Sequence, residues 1–204
     1  MNSLPDIVPA VLVHSFRPLK EQLAALVGSA TMVQVDIVGE NFLAREETMP
    51  LWEEFDFEFD LMTEDARADA EVAVTQLGAS RVVVHSERAR AKEALEFLQP
   101  YRTGEFVVMV GVALSCDAMP EALRKFEGMY DYVQVMGIAR VGFQGQSFDE
   151  RALDTVANLR AAYPRLFIQV DGGVKPDNFK KVLDAGANRV VVGSAYREVV
   201  AQTR

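Results

Sequence analysis

The sequence predicts an α/β chain closed into a (β/α)8 TIM barrel, and three observations carry that prediction. Apolar, strand-like runs begin near residues 7, 31, 55, 80, 106, 130, 165 and 189, so six of the seven intervals span 24 to 26 residues. Evenly repeated βα units favour closure over an open doubly wound sheet, whose connections vary more. Two of the later runs, Leu166–Val170 and Arg189–Val192, lead into small residues, Gly172-Gly173 and Gly193-Ser194. Glycine leaves main-chain N–H groups bare to a ligand, and a helix starting just beyond adds unpaired donors that suit an anion. The last two loops of a barrel are where such a pair would hold one phosphate. Finally, Leu77-Gly78-Ala79-Ser80-Arg81-Val82-Val83-Val84 recurs as Ala185-Gly186-Ala187-Asn188-Arg189-Val190-Val191-Val192, 108 residues later. Convergent turn chemistry explains that match too, so the repeat only supports the spacing.

Composition narrows the function. At 204 residues the chain can bury one sizeable core, and a single domain over residues 1–204 is expected. Half the residues are apolar and a quarter charged, as in ordinary globular proteins. A net charge of −9 with no Lys/Arg block argues against nucleic acid as a partner. It does not forbid an anionic metabolite, because a pocket carries its own local field. No apolar run reaches the length of a membrane span, and the N-terminus lacks the basic-then-apolar order of a signal peptide. The lone Cys116 excludes an internal disulfide and fits a reducing compartment, so a cytoplasmic setting is expected.

Ile7–Val13 opens the chain as an apolar strand, with Pro9 near its start or at a bulge. Phe16–Val27 repeats Leu19, Leu23, Leu26 and Val27 at helical spacing, with Pro18 in the first turn and Gly28 as the stop. Thr31–Val38 is the second strand; Gln34 and Asp36 share a parity and therefore a face. Near the C-terminal end of its strand, Asp36 belongs in a barrel's catalytic mouth. Gly39–Pro50 reads as a polar loop with a short helical piece. Phe55–Met62 alternates like a half-exposed antiparallel strand, yet alternation also suits a barrel strand carrying Asp60 into the mouth. Glu64–Leu77 is helical, Arg81–Val84 is a strand ending at His85, and Arg88–Leu98 is helical up to Pro100. Strand Phe106–Ala113, a short helix at Pro120–Phe126 and strand Tyr130–Met136 follow. Gly137–Ser147 holds three glycines and two glutamines, a loop suited to folding over a ligand. Phe148–Tyr163 gives the longest helical run. The seventh strand, a helix at Pro176–Leu183, the eighth strand and a closing helix at Ala195–Ala201 complete the count.

Several short segments fall in one order along nearly the whole chain. They are Ile7-Val8-Pro9-Ala10-Val11-Leu12, Val35-Asp36, Leu61-Met62, Gly111-Val112-Ala113-Leu114 and Val135-Met136. Gly142-Phe143-Gln144-Gly145-Gln146, Val170-Asp171-Gly172-Gly173-Val174 and Gly193-Ser194-Ala195 continue the series. In that order and spacing the sequence resembles the ribulose-phosphate 3-epimerases. These are metal-dependent barrels of the ribulose-phosphate-binding type that interconvert D-ribulose 5-phosphate and D-xylulose 5-phosphate. The resemblance implies a phosphorylated sugar as ligand and a homo-oligomer as the assembled form. It places Gly142, Gln144, Gly145, Gly172, Gly173, Gly193 and Ser194 around the phosphate, and Asp36 and Asp171 as catalytic carboxylates. Epimerisation beside a ketone takes a proton from one face of a carbon and returns one to the other. Two carboxylates on opposite sides of the sugar can alternate as base and acid.

The departure lies at the metal. The family's two ligand histidines correspond to Gln34 and Asp60, its early serine to Ala10, and its asparagine-proline after strand five to Ser115-Cys116. The opening of loop six is Gly137-Ile138-Ala139-Arg140, and the two histidines, His14 and His85, stand away from ligand positions. Zinc is disfavoured without imidazoles. Asp36, Asp60, Asp171 and an amide oxygen from Gln34 would instead make an all-oxygen site for Mg2+ or Mn2+. The preferred expectation is no metal at all, the acids being balanced by water and Arg140 and raising one another's pKa. Two functions therefore stay open. One is an epimerase acting on a phosphorylated ketose; the other is a non-catalytic sugar-phosphate sensor or scaffold that keeps the anion cradle and drops the chemistry. A related barrel decarboxylase is disfavoured, since the lysine such enzymes carry two residues past the strand-two aspartate is Val38 here. His85 reads either as a ligand contact or as a structural histidine. Cys116 reads as packing, and Trp52 with Phe55, Phe57 and Phe59 as core or subunit contact.

Overall fold

A computed structural model describes residues 6–13, 16–39, 52–143 and 145–203. Eight parallel strands close into a barrel in chain order, and β8 (Arg189–Val192) pairs with β1 (Asp6–Val13) to seal it. Between them run β2 (Met32–Gly39), β3 (Asp56–Thr63), β4 (Arg81–His85), β5 (Met109–Leu114), β6 (Tyr132–Met136) and β7 (Phe167–Asp171). The α-helices among the described residues are α1 (Phe16–Leu26), α2 (Ala66–Thr75), α3 (Ala91–Leu98), α4 (Arg151–Ala162), α5 (Phe179–Asp184) and α6 (Tyr196–Ala201). None is long and apolar enough to cross a membrane. His14, Gln144 and the helical piece expected before Pro50 lie outside the described residues.

Element ends differ from the sequence expectation for local reasons. Pro120–Phe126 forms a 3-10 helix, closed by i,i+3 bonds such as Ala122 N–H to the Met119 carbonyl. α3 starts at Ala91 because Arg90 sits in the left-handed region, at φ 63°. β5 starts at Met109, where the ladder to Arg81 begins, and leaves Phe106 82% exposed outside it.

The alternation in β3 has a specific origin. Phe57, Phe59 and Leu61 are buried outward, in one apolar cluster with Ala66 and Ala70 of α2. Glu58 and Asp60 face the barrel interior and are fully buried as well. The strand is therefore covered on both faces, unlike a half-exposed antiparallel strand.

The barrel interior is polar below the mouth. Tyr132 Oη donates to Glu58 Oε2 at 2.6 Å, while Gln169 Nε2 donates to Glu58 Oε1 and to Gln134 Oε1, each at 2.7 Å. Arg189 Nη1 donates to Gln169 Oε1 at 3.2 Å and Arg189 Nε to Asp6 Oδ2 at 2.7 Å, extending the network to the far end. Burial pushes the Glu58 carboxyl above its usual range, against the pull of the Tyr132 and Gln169 hydrogen bonds. Such a network is costly unless every member is paired. Gly111 makes room for it, because a Cβ there would lie 2.6 Å from the Tyr132 ring.

Candidate active site

Strand register sets the site one layer above this network. Gln34 pairs with Glu58 and Asp36 with Asp60 across β2 and β3; Gln134 pairs with Gln169 and Met136 with Asp171 across β6 and β7. Each amide or Glu58 thus sits two residues, and one inward layer, before an aspartate or Met136. At the upper layer a cavity of about 350 Å³ opens. Asp36 and Asp171 line it beside apolar Leu12, Met62 and Met136, with Gly142, Gly145, Gly172, Gly173, Gly193 and Ser194 around the rim.

Asp36, Asp60 and Asp171 each offer an oxygen, and the three atoms lie within 4.8 Å of one another. Asp60 does not line the cavity as expected. It is fully buried, with Oδ1 2.8 Å from His85 Nε2 and Oδ2 accepting from Gln134 Nε2 at 2.7 Å. Gln34 also differs from expectation. Its N–H donates to Asp36 Oδ1 at 2.8 Å, and its oxygen turns away to accept from Gln169, so no amide oxygen faces the acids.

Burial first, then the neighbouring charges of Asp171 and Asp60, push Asp36 well above the usual carboxylate range. Burial and Asp60 likewise push Asp171 up to about 8. His85 carries the opposite charge: burial alone would lower its pKa, but Asp60 and Glu87 outweigh burial and raise it to about 10. His85, rather than Arg140, is therefore the cation beside the acids. Arg140 stacks on Phe143, 5.1 Å from the ring centroid, and forms no ion pair among the described residues. The sequence signal for His85 was its parity, since it follows inward-facing Val83 by two residues next to β3.

The rim glycines fall into two kinds. Gly172 and Gly173 have φ of 100° and 69°, and a Cβ on either would strike Ile138 or the Phe148 backbone. Those two are demanded by packing against loop six. Gly193 is different: its φ is unrestricted, and a Cβ there would meet nothing within 4 Å, so neither strain nor packing accounts for it. No hydrogen bond among the described residues uses the N–H groups of Gly173, Gly193 or Ser194. Free donors, an empty Cβ position and a cavity coincide at this rim.

The chain matches the family described as ribulose-phosphate 3 epimerase family over residues 6–196. It is 30% identical over 203 residues to the ribulose-phosphate 3-epimerase of Schizosaccharomyces pombe, covering 93% of this chain and 85% of that protein. It is 38% identical over 104 residues to the ribulose-phosphate 3-epimerase of Aquifex aeolicus, a match spanning 48% of this chain and 45% of that protein. Among solved structures, a 3-hexulose-6-phosphate synthase superposes with a TM-score of 0.67 at 18% identity, over 96% of this chain and 98% of that one. At that identity the likeness speaks for the fold alone.

Proposed function

Because the chain belongs to the ribulose-phosphate 3-epimerase family, with three aspartates at its metal-ligand cluster, we propose that it epimerises a phosphorylated ketose by proton transfer between two carboxylates. One observation carries the reading: Asp36 on β2 and Asp171 on β7 face the same cavity, and both hold protons more firmly than ordinary acids. Two close carboxylates that both resist ionisation can hold one proton between them, so one member serves as base while the other is ready as acid. The apolar floor keeps bulk water from competing for the proton. Gly173, Gly193 and Ser194 hold the phosphate by their main-chain amides, joined at the rim by Gly142, Gly145 and Gly172.

A divalent ion fits the acid cluster on its donor chemistry. Asp36, Asp60 and Asp171 present three oxygens close enough for one hard cation, which favours Mg2+ or Mn2+ over Zn2+. When bound, it would offset the negative charge that develops on the ketose oxygens. The family likeness supports self-association, with exposed Phe106 and Val107 as a candidate contact, and the lone Cys116 supports a cytoplasmic setting; sedimentation tests the first point.

The test is turnover of D-ribulose 5-phosphate, followed by exchange of the C3 proton with solvent, in the wild type and in Asp36→Asn. The proposal expects turnover that the substitution lowers by at least about 100-fold. Tight binding of phosphorylated ketoses with no turnover, with or without added Mn2+, would replace the epimerase by a sensor.

A further inference from the structure

We propose that Lys175 is the charge-bearing member of the phosphate cradle and makes it select a phosphate monoester dianion over a monoanionic diester. The inference rests on the reading that the β7 and β8 rim takes phosphate. Three charged residues line the cavity, Asp36, Asp171 and Lys175, so Lys175 is its one cation among the described residues. An anion entering beside two acids needs an opposite charge, and neutral amides supply none.

Lys175 is built for the task at its backbone and unspent at its side chain. Its N–H donates to Asn178 Oδ1 at 2.8 Å, and Asn178 Nδ2 donates to the Gly173 carbonyl at 3.0 Å, tying the lysine to the cradle. Its carbonyl accepts from the N–H groups of Asn178 and Phe179 at 3.1 and 2.9 Å. The ammonium, in contrast, makes no ion pair or hydrogen bond among the described residues. The neighbouring lysines are engaged elsewhere, Lys180 with Asp184 and Lys181 with Glu150. An ammonium on a flexible stem acts as a point charge, so its attraction grows with the charge of the ligand, whereas amide donors discriminate less.

The experiment titrates the full chain with methyl phosphate and with dimethyl phosphate near neutral pH, following the Gly173, Gly193 and Ser194 amides by NMR. Wild type is compared with Lys175→Met, Lys175→Arg and Gly193→Asp. Lys175→Met should weaken methyl phosphate roughly five- to tenfold at low salt and change dimethyl phosphate less than about twofold. Lys175→Arg should restore most of the loss, and the gap should close in about 0.5 M salt. Gly193→Asp places an acid in open space without strain and should abolish binding of methyl phosphate. A Lys175→Met affinity within twofold of wild type, while Gly193→Asp abolishes binding, overturns the role of Lys175 and leaves the cradle standing. Methyl phosphate that does not bind the wild type, or binds Gly193→Asp undiminished, overturns the cradle itself.

Discussion

Replacing His85 by leucine should destabilise the protein by an amount that depends on pH in a defined direction. The imidazole is fully buried, with Nε2 2.8 Å from Asp60 Oδ1 and Nδ1 3.3 Å from Glu87 Oε1, the second contact lacking hydrogen-bond geometry. Removing one member of a buried pair costs about 3–5 kcal/mol, because the other charge stays behind without compensation. Here it stays behind next to Asp36 and Asp171. Linkage gives a similar figure: a proton held to about 10 instead of the ordinary 6.5 contributes about 5 kcal/mol. A raised histidine pKa adds stability that is fully present below 6.5 and is lost as pH rises through about 10. Urea unfolding at pH 6.5 should therefore separate wild type from His85→Leu by about 3–5 kcal/mol, and the gap should close above pH 10. His85→Gln, which keeps a donor for Asp60 but no charge, should fall between them. A gap under about 1 kcal/mol at pH 6.5, or one that does not shrink in alkali, would refute the ion pair.

The raised Asp171 pKa makes a kinetic prediction with the same sign, a loss toward high pH. As pH rises through about 8 Asp171 loses the proton it would donate, so kcat/KM should fall on an alkaline limb near pH 8; a flat profile to pH 10 counts against the pair. Gly173→Ala should cost about 2–4 kcal/mol in urea unfolding, since φ is 69° and the Cβ would lie 2.7 Å from the Phe148 Cα. Gly193→Ala, facing open space, should change stability by less than about 0.5 kcal/mol, so equal costs at the two glycines would contradict the distinction between them. Mn2+ should bind with proton release at neutral pH, because Asp36 and Asp171 must lose protons to ligate; no binding at millimolar metal ends the all-oxygen site.

The barrel was legible because its signal is local and repeated: one strand, one helix and a turn in about two dozen residues. The parity of Gln34 and Asp36 likewise read correctly from one strand. The polar interior was harder, although its pattern is written four times, as Gln34-Val35-Asp36, Glu58-Phe59-Asp60, Gln134-Val135-Met136 and Gln169-Val170-Asp171. Which members meet depends on register and barrel closure, as when Tyr132 finds Glu58 74 residues away. Nothing local to either residue encodes that choice. The glycines posed a different problem. A glycine needed for a left-handed turn, as at Gly173, and one facing a vacant Cβ position, as at Gly193, look alike in a sequence.

The substitutions at the mouth make sense as a set once charge is counted. Where the family resemblance expects two imidazoles, this chain has Gln34, which is neutral, and Asp60, which His85 neutralises from the next strand. Gln34 together with the Asp60–His85 pair carries no net charge, as two neutral imidazoles would not. The electrostatic surroundings of Asp36 and Asp171 are therefore kept, while the nitrogen ligands that zinc favours are gone. Asp60 can reach an ion only through lone pairs that His85 and Gln134 leave unused, so any ion bound here is held mainly by the two cavity acids. Those are the same two groups proposed to exchange protons with the substrate. Ion binding and proton transfer thus draw on one pair of carboxylates, and the pH at which Mn2+ displaces their protons should coincide with a change in the pH profile of turnover.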